Sequence, residues 1–251
     1  MLSHLTIDQA LAVPGALRGV AWLGRGVDYV AAWDLQRRLA GLRAVGEIGD
    51  VALLLEHTPV YTAGPRSEPA HVLASLRAPL IETDRGGQLT YHGPGQLVGY
   101  PIVALAGQRI GPKAYVRALE RLLIDVLVGH GIEAHAEEGA TGVWTARGKV
   151  AAIGVRVSRG VTMHGFALNV HTDLAAYRDI VPCGITDRPV TSMEEIAGQR
   201  FDLLGVAEAV ALGLVGGRSG LRLRGRDAGA GRGGGSAGGN VLADPVPGEE
   251  A

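Results

Sequence analysis

Residues 85–101, Arg-Gly-Gly-Gln-Leu-Thr-Tyr-His-Gly-Pro-Gly-Gln-Leu-Val-Gly-Tyr-Pro, constrain the fold more than any other stretch of the chain. Five glycines and two prolines stand here between apolar runs, not in a polar tail. Glycine in such a place permits positive φ, or leaves room for another backbone or a ligand to come close. A glycine-rich hairpin with polar turns satisfies the same pattern. What favours a site is the company of Arg85, Gln88, Thr90, Tyr91, His92 and Gln96. A second glycine-rich block, Lys149 to Asn169, and the single cysteine, Cys183, weigh the same way.

The rest of the chain has the make-up of an ordinary globular protein. Its 251 residues suffice for one large domain or two small ones, and 47% hydrophobic against 20% charged residues can supply a sizeable core. With two Phe, three Trp and six Tyr, that core is largely aliphatic. A formal net charge of −1 gives no global attraction for nucleic acid or an anionic membrane, and neither is expected as a partner. No apolar run approaches the roughly 20 residues that span a bilayer, and Met1 to Leu5 lacks the segments of a signal peptide. One cysteine excludes an intrachain disulfide framework and fits a reducing, cytoplasmic location.

Helical spacing is clearest after Gly111, where Pro112 suits a first helical position. Tyr115, Leu119, Leu122, Leu123, Val126 and Leu127 form the stripe, and Gly129 and Gly131 stop it. Residues 26–43 predict an earlier helix with Ala32, Leu35, Leu39 and Leu42 inward. Tyr29 lies at the edge of that stripe, and Gln36, Arg37, Arg38 and Arg43 are polar positions around it. Val51 to Leu55 reads as a strand buried on both faces, ended or bent by His57-Thr58-Pro59. Residues 79–83, 88–92 and 97–105 predict further strands, and 142–169 a β-meander. Alternation in its middle strand puts Lys149 on one face with Ala151, Ile153, Val155 and Val157, so an ammonium starts the more apolar face. A lysine at a strand end whose head reaches solvent fits that pattern too. Ser192 predicts an N-cap with Glu195 completing a capping box, and Leu203 to Leu214 the last helix. From Gly216 the composition turns to Gly, Arg, Ser and Pro. A domain of residues 1–215 followed by a disordered Gly/Arg-rich tail, 216–251, is therefore expected.

Several well-known motifs fail on context. Gly234 to Gly238 matches a nucleophile elbow but lies in the tail. Gly142 to Lys149 is one residue too long for a phosphate loop, and Val150 follows the lysine where Ser or Thr is needed. No HExxH occurs, and one cysteine cannot build a paired-cysteine zinc site, so no metal is expected. Cys183 sits in Val181-Pro182-Cys183-Gly184-Ile185, where proline stiffens the approach and glycine leaves the thiol unobstructed. A lone cysteine is commonly a small buried hydrophobe. A reactive one must become thiolate, which needs a neighbouring cation or base. Lys149, His92 and His164 are all candidates, and spacing does not choose among them.

Arg85 to Pro101 resembles the signature of the lipoyl(octanoyl) transferases. Gly148-Lys149-Val150-Ala151-Ala152-Ile153-Gly154-Val155-Arg156 is similar to that family's second block. His164-Gly165-Phe166-Ala167-Leu168-Asn169-Val170 and Pro182-Cys183-Gly184-Ile185 complete it, in the family's order. The resemblance runs from about the first helix to Leu214, and the first twenty residues carry none of it.

The resemblance implies an α+β domain, a mixed β-sheet flanked by helices like the catalytic domain of biotin and lipoate ligases. It implies transfer of an octanoyl group from acyl carrier protein, through a thioester on Cys183, to a lysine of a lipoyl domain. The lipoyl domains concerned are those of 2-oxoacid dehydrogenases and the glycine cleavage H protein. Lys149 would activate Cys183. Arg85, Gly86, Gly87, Gln88, Leu89, Thr90, Tyr91 and His92 would line the acyl site with Ala152, Ile153, Gly154, Gly165, Phe166 and Ala167. Thioester exchange is close to neutral in energy and thioester-to-amide transfer runs downhill. Neither ATP nor any cofactor is needed, which fits the failed phosphate loop.

Overall fold

The computed structural model describes residues 2–184, 188–217 and 219–225, except for the side chain of Cys183. The chain opens with β1 (Leu2–His4), α1 (Ile7–Ala12) and β2 (Gly19–Trp22). No periodic signal marks these short pieces. α1 is held at its start by a capping box in which Thr6 accepts from Gln9 N and the Gln9 side chain accepts from Thr6 N. Then comes α2 (Tyr29–Ala44), which starts at Tyr29 and not Gly26 because Asp28 caps it, accepting from Ala31 N at 2.9 Å. Its buried face is wider than the leucine stripe. Gln36 and Arg43, expected at its polar surround, are buried with specific partners. The Gln36 carbonyl accepts from His164 N at 2.7 Å, and Arg43 Nε donates to Asp50 at 2.7 Å.

β3 (Val51–Leu55) is buried throughout, and β4 (Val60–Ala63) resumes beyond His57-Thr58-Pro59. β5 (Leu80–Glu82), β6 (Thr90–His92) and β7 (Gln96–Ile102) follow, then the single turn α3 (Leu105–Gln108) and the long α4 (Pro112–Gly129). The meander consists of β8 (His135–Glu137), β9 (Ala140–Thr145), β10 (Gly148–Ser158) and β11 (Val161–Asn169). α5 (Met193–Ala197) and α6 (Leu203–Gly216) complete the domain. Only half of the expected capping box forms at α5. Ser192 Oγ accepts from Glu195 N, but the Glu195 carboxylate accepts from the Thr191 hydroxyl instead.

Eight strands make one sheet in the order β1-β2-β3-β7-β11-β10-β9-β8, parallel among β1, β2 and β3 and antiparallel elsewhere. Alternation in β3 explains the two layers around it. Ala52 and Leu54 join the cluster under α4 and α6, while Val51, Leu53 and Leu55 join the cluster under α1 and α2. Each fully buried leucine contributes roughly 1.5–3 kcal/mol, so a central strand with both faces covered anchors the fold. The expected mixed sheet with flanking helices is what forms. A small second sheet, β5-β4-β6, stands beside it and carries part of the site.

The expected tail begins too early. Gly217 caps α6 with a positive φ of 72°, and the chain then packs back on the domain. Leu221 is fully buried beneath α4 and α6. Arg224 O accepts from Asp50 N at 2.7 Å, and Arg224 N donates to Asp50 Oδ2 at 3.1 Å. Composition over a window averages that one leucine away. Residues 226–251 lie outside the described residues. No helix among the described residues is long and apolar enough to cross a membrane.

Candidate active site

Both glycine-rich blocks of the sequence meet at one place, and close approach explains most of their glycines. The Arg85–Gly87 loop docks on β10, with Gly86 N donating to Val155 O at 3.0 Å. A Cβ on Gly154 would stand 2.6 Å from Gly86 O, and one on Gly165 would collide with Gly99 O of β7. Gly87 has a φ of +96°, the left-handed region that glycine tolerates. Arg85 is the loop's internal tie. Its guanidinium donates to Thr62 O and Gln88 O, each at 2.7 Å, and to Thr62 Oγ1 at 2.8 Å.

A pocket opens beneath this loop. From the first block it is lined by Arg85, Gly86, Gly87, Thr90 and His92. From the second it is lined by Ala152, Ile153, Gly154, Gly165, Phe166 and Ala167. Alternation in β6 separates the other expected residues. Thr90 and His92 face the pocket, whereas Leu89 and Tyr91 turn into a small core with Tyr61, Ala176, Tyr177 and Ile180. Those two do not line it. Gln88 lines the adjoining cleft. Tyr29, Tyr100 and His164 complete the wall, and none of the three was assigned to the acyl site by the sequence.

The histidines and tyrosines of the wall are polar but uncharged. His57 Nδ1 donates to Val27 O at 2.8 Å, a carbonyl that can only accept, so Nε2 accepts from Tyr100 Oη at 2.7 Å. His92 Nδ1 donates to the Gln96 carbonyl at 2.7 Å, and Gln96 Nε2 in turn donates to Asn169 and to Tyr91 O. Burial lowers the pKa of His57 to about 4. Burial, and then the nearby His57 and Arg85, holds His92 well below its ordinary value. Burial also lifts Tyr29 to about 12. Apart from Arg85, whose guanidinium is hydrogen-bonded to Thr62 and Gln88, the lining is uncharged, which suits an aliphatic group.

Four residues, Gly86, Gly87, Ile153 and Gly154, line both this pocket and a second, wider cleft. That cleft holds Lys149, which is 7% exposed, so the alternative of a solvated strand-end lysine does not apply. The register slips between Lys149 and Ala151, a bulge that breaks the strict alternation read from the sequence. Val150 and Ala151 accordingly both reach the core under α4. Lys149 Nζ lies 5.3 Å from the centre of the Trp144 ring. Gly142, at φ +130°, leaves the space that the lysine occupies, since a Cβ there would stand 2.5 Å from Lys149 Cε.

The cysteine segment is led to the same cleft by its backbone. Lys149 N donates to Pro189 O at 2.9 Å and Thr191 N donates to Lys149 O at 3.0 Å. This short parallel bridge returns the chain beyond Cys183 to the start of β10. Pro182–Gly184 forms one 3-10 turn. Gly184, at φ +68°, lines the Lys149 cleft, and any Cβ on it would collide with the Gln88 side chain. Ile185 of the sequence block lies outside the described residues.

The profile of the lipoyl protein ligase A/B catalytic domain matches residues 28–215. The chain is 50% identical over 198 residues to the octanoyltransferase of Chloroflexus aurantiacus, covering 75% of this chain and 88% of that one. It is 52% identical over 174 residues to the octanoyltransferase of Gloeobacter violaceus, covering 68% and 77%. Among solved structures it resembles P. falciparum LipL1 in complex with lipoate, with a TM-score of 0.61, 12% identity and coverage of 79% and 61%. The bi-partite lipoate protein ligase of Thermoplasma acidophilum, described with its E2 lipoyl domain, gives a TM-score of 0.57 at 15% identity, covering 80% and 83%. At such identities the likeness is one of fold.

Proposed function

The chain belongs to the lipoyl protein ligase A/B catalytic-domain family, and from that premise we propose that it is an acyltransferase carrying octanoyl groups onto lipoyl domains through a thioester on Cys183. The observation that carries the reading is the junction of two spaces. A pocket walled by glycine, alanine and, apart from Arg85, uncharged side chains opens, through Gly86, Gly87, Ile153 and Gly154, into the cleft of Lys149 and Gly184.

The chemistry follows from that order. The octanoyl chain enters the pocket, leaving its thioester in the cleft. Cys183 attacks the carbonyl as thiolate, and the thiol of the donor, octanoyl-acyl carrier protein, departs with a proton from the Lys149 ammonium. The lysine amine of a lipoyl domain then attacks the Cys183 thioester. An amide forms, the Cys183 thiolate is released, and neutral Lys149 accepts the proton lost by the amine. Both steps exchange one acyl bond for another, and no nucleotide is consumed. Lipoyl domains of 2-oxoacid dehydrogenases and the glycine cleavage H protein are the acceptors we expect. A free nucleophilic thiol is best kept in a reducing cytoplasm.

The test is intact-mass measurement after mixing with octanoyl-acyl carrier protein in the absence of ATP. One octanoyl adduct on Cys183 is expected, none on Cys183→Ala, and slower acylation of Lys149→Met. Transfer that requires ATP and survives Cys183→Ala would replace this reading with that of a ligase.

A further inference from the structure

Three cations, Arg66, Lys149 and Arg188, line the cleft into which the acyl pocket opens, and among the described residues no Asp or Glu lines it. The chemistry above employs Lys149 alone, so two guanidinium groups stand in the cleft without a role.

Arg188 is the more firmly held of the two. It follows Cys183 by five residues, where the chain returns to β10 through the bond from Lys149 N to Pro189 O. Trp144 is the cross-strand partner of Lys149, and the Arg188 guanidinium stacks on that indole with its Cζ 3.9 Å from the ring centre. One ring therefore lies against both cationic heads. Like charges gathered in this way repel, a cost that an anion bound beside them offsets. Glu137 pairs with Arg188 Nη1 and fixes the guanidinium, but that carboxylate lines the neighbouring cleft between α4 and β8. Nε and Nη2 of Arg188 have no partner among the described residues. Its side chain is 35% exposed, so a ligand can reach those donors.

Arg66 comes to the cleft from another loop. Gly64, two residues earlier, packs so closely on Gly87 that a Cβ would stand 2.4 Å from Gly87 O. Gly184 packs as closely on the Gln88 side chain. The Arg66 loop and the Cys183 segment thus close on adjoining residues. The Arg66 side chain is exposed and has no partner among the described residues.

The reaction indicates which anion would lie there. With the acyl chain in the pocket and its thioester in the cleft, the group that carries the thioester must run out along the cleft lining. In acyl carrier protein that group is a flexible phosphopantetheine arm, with the sulfur at one end and a phosphodiester at the other. The lysine of a lipoyl domain brings no phosphate.

We propose that Arg188 and Arg66 form an anion site in the Lys149 cleft that takes the phosphodiester of the acyl donor's arm. This rests on the acyltransferase reading above. The planar guanidinium of Arg188 offers its free N–H donors to phosphate oxygens, and Arg66 adds a second positive charge.

The test compares octanoyl-pantetheine with octanoyl-phosphopantetheine, small donors that differ only by a phosphate standing in for the diester. The second-order rate of Cys183 acylation is followed by intact mass. In the unmodified enzyme the phosphorylated donor should react about tenfold faster, the effect of a charge-assisted hydrogen bond at a partly exposed arginine. Arg188→Gln should bring that ratio close to one, and Arg188→Lys, which keeps the charge but not the fork, should retain part of it. Arg66→Gln alters a side chain that no described residue holds, and it should lower the ratio as well. Equal rates for the two donors in the unmodified enzyme overturn the site. So does a slowing of both donors alike in the variants, which would give the arginines a part in the fold or in the thioester chemistry. A loss seen with octanoyl-acyl carrier protein but with neither small donor also overturns it, by moving the contact to the carrier's own surface. If no donor acylates Cys183, the acyltransferase reading falls first and the site with it.

Discussion

Around the pocket, single histidines set how the protein responds to acid. His57, His92 and His164 all have pKa values lowered chiefly by burial, His57 to about 4. In the unfolded chain each titrates near 6.5, so below that pH the unfolded state takes up protons that the folded state refuses. Stability is full above about pH 6.5 and is lost as pH falls towards the folded values. His57 alone, moving from 6.5 to about 4, accounts for about 3 kcal/mol at 1.36 kcal/mol per pH unit. Thermal melts followed by circular dichroism should show Tm falling steeply between about pH 6.5 and 4. His57→Gln, which cannot take a charge, should flatten that fall. An equally steep loss in the variant would mean that other groups carry the acid response.

At the scale of elements, transfer is expected to depend on how tightly the Arg85–Gly87 loop sits on β10. Gly154→Ala places a methyl 2.6 Å from Gly86 O, a backbone atom that cannot swing aside. Overpacking of that kind costs about 1–3 kcal/mol if the loop stays, or lifts the loop if it yields. Because the loop walls the pocket next to the Lys149 cleft, a displacement near 1 Å should lower kcat/KM by about a hundredfold. Gly111→Ala, where nothing lies within 4 Å of the added methyl, is the matched control and should change little. Equal activity in the two variants would show that the loop's seat is unimportant for transfer.

The whole molecule is closed by a segment that looks dispensable. Asp50, buried between α2 and β3, accepts from Arg43, from the backbone of Ala104 and Arg224, and from Gln108. With Leu221 buried under α4 and α6, this clasps residues 219–225 to both layers. A chain ending at Gly225 should melt like the full-length protein and transfer at the same rate. Ending it at Val215 removes a buried leucine, worth about 2–5 kcal/mol, and should lower Tm by about 4–20 °C. Matching melting curves for the two truncations would show that the clasp adds nothing to stability.

The sequence determined by itself whatever depends on neighbours along the chain. The stripe of Tyr115, Leu119, Leu122 and Val126 specifies α4, and the unbroken run Val51 to Leu55 specifies a strand covered on both faces. Local glycine and proline placement marked the blocks that meet in the site, and most of the pocket's lining was legible from them. Other features needed contacts far apart in the chain. Tyr29, Tyr100 and His164 join the pocket only because β7, β11 and α2 pack side by side. The bulge between Lys149 and Ala151 shifts the lysine's face, and it is set by pairing with β9 and by the bridge to Val190. Gln36, Arg43 and Leu221 look like surface or tail residues until His164, Asp50 and the α4–α6 groove meet them. Periodicity reports which way a side chain points from its own element. What lies in that direction is decided by tertiary packing, because a buried polar group is stable only where a partner from elsewhere in the chain satisfies it.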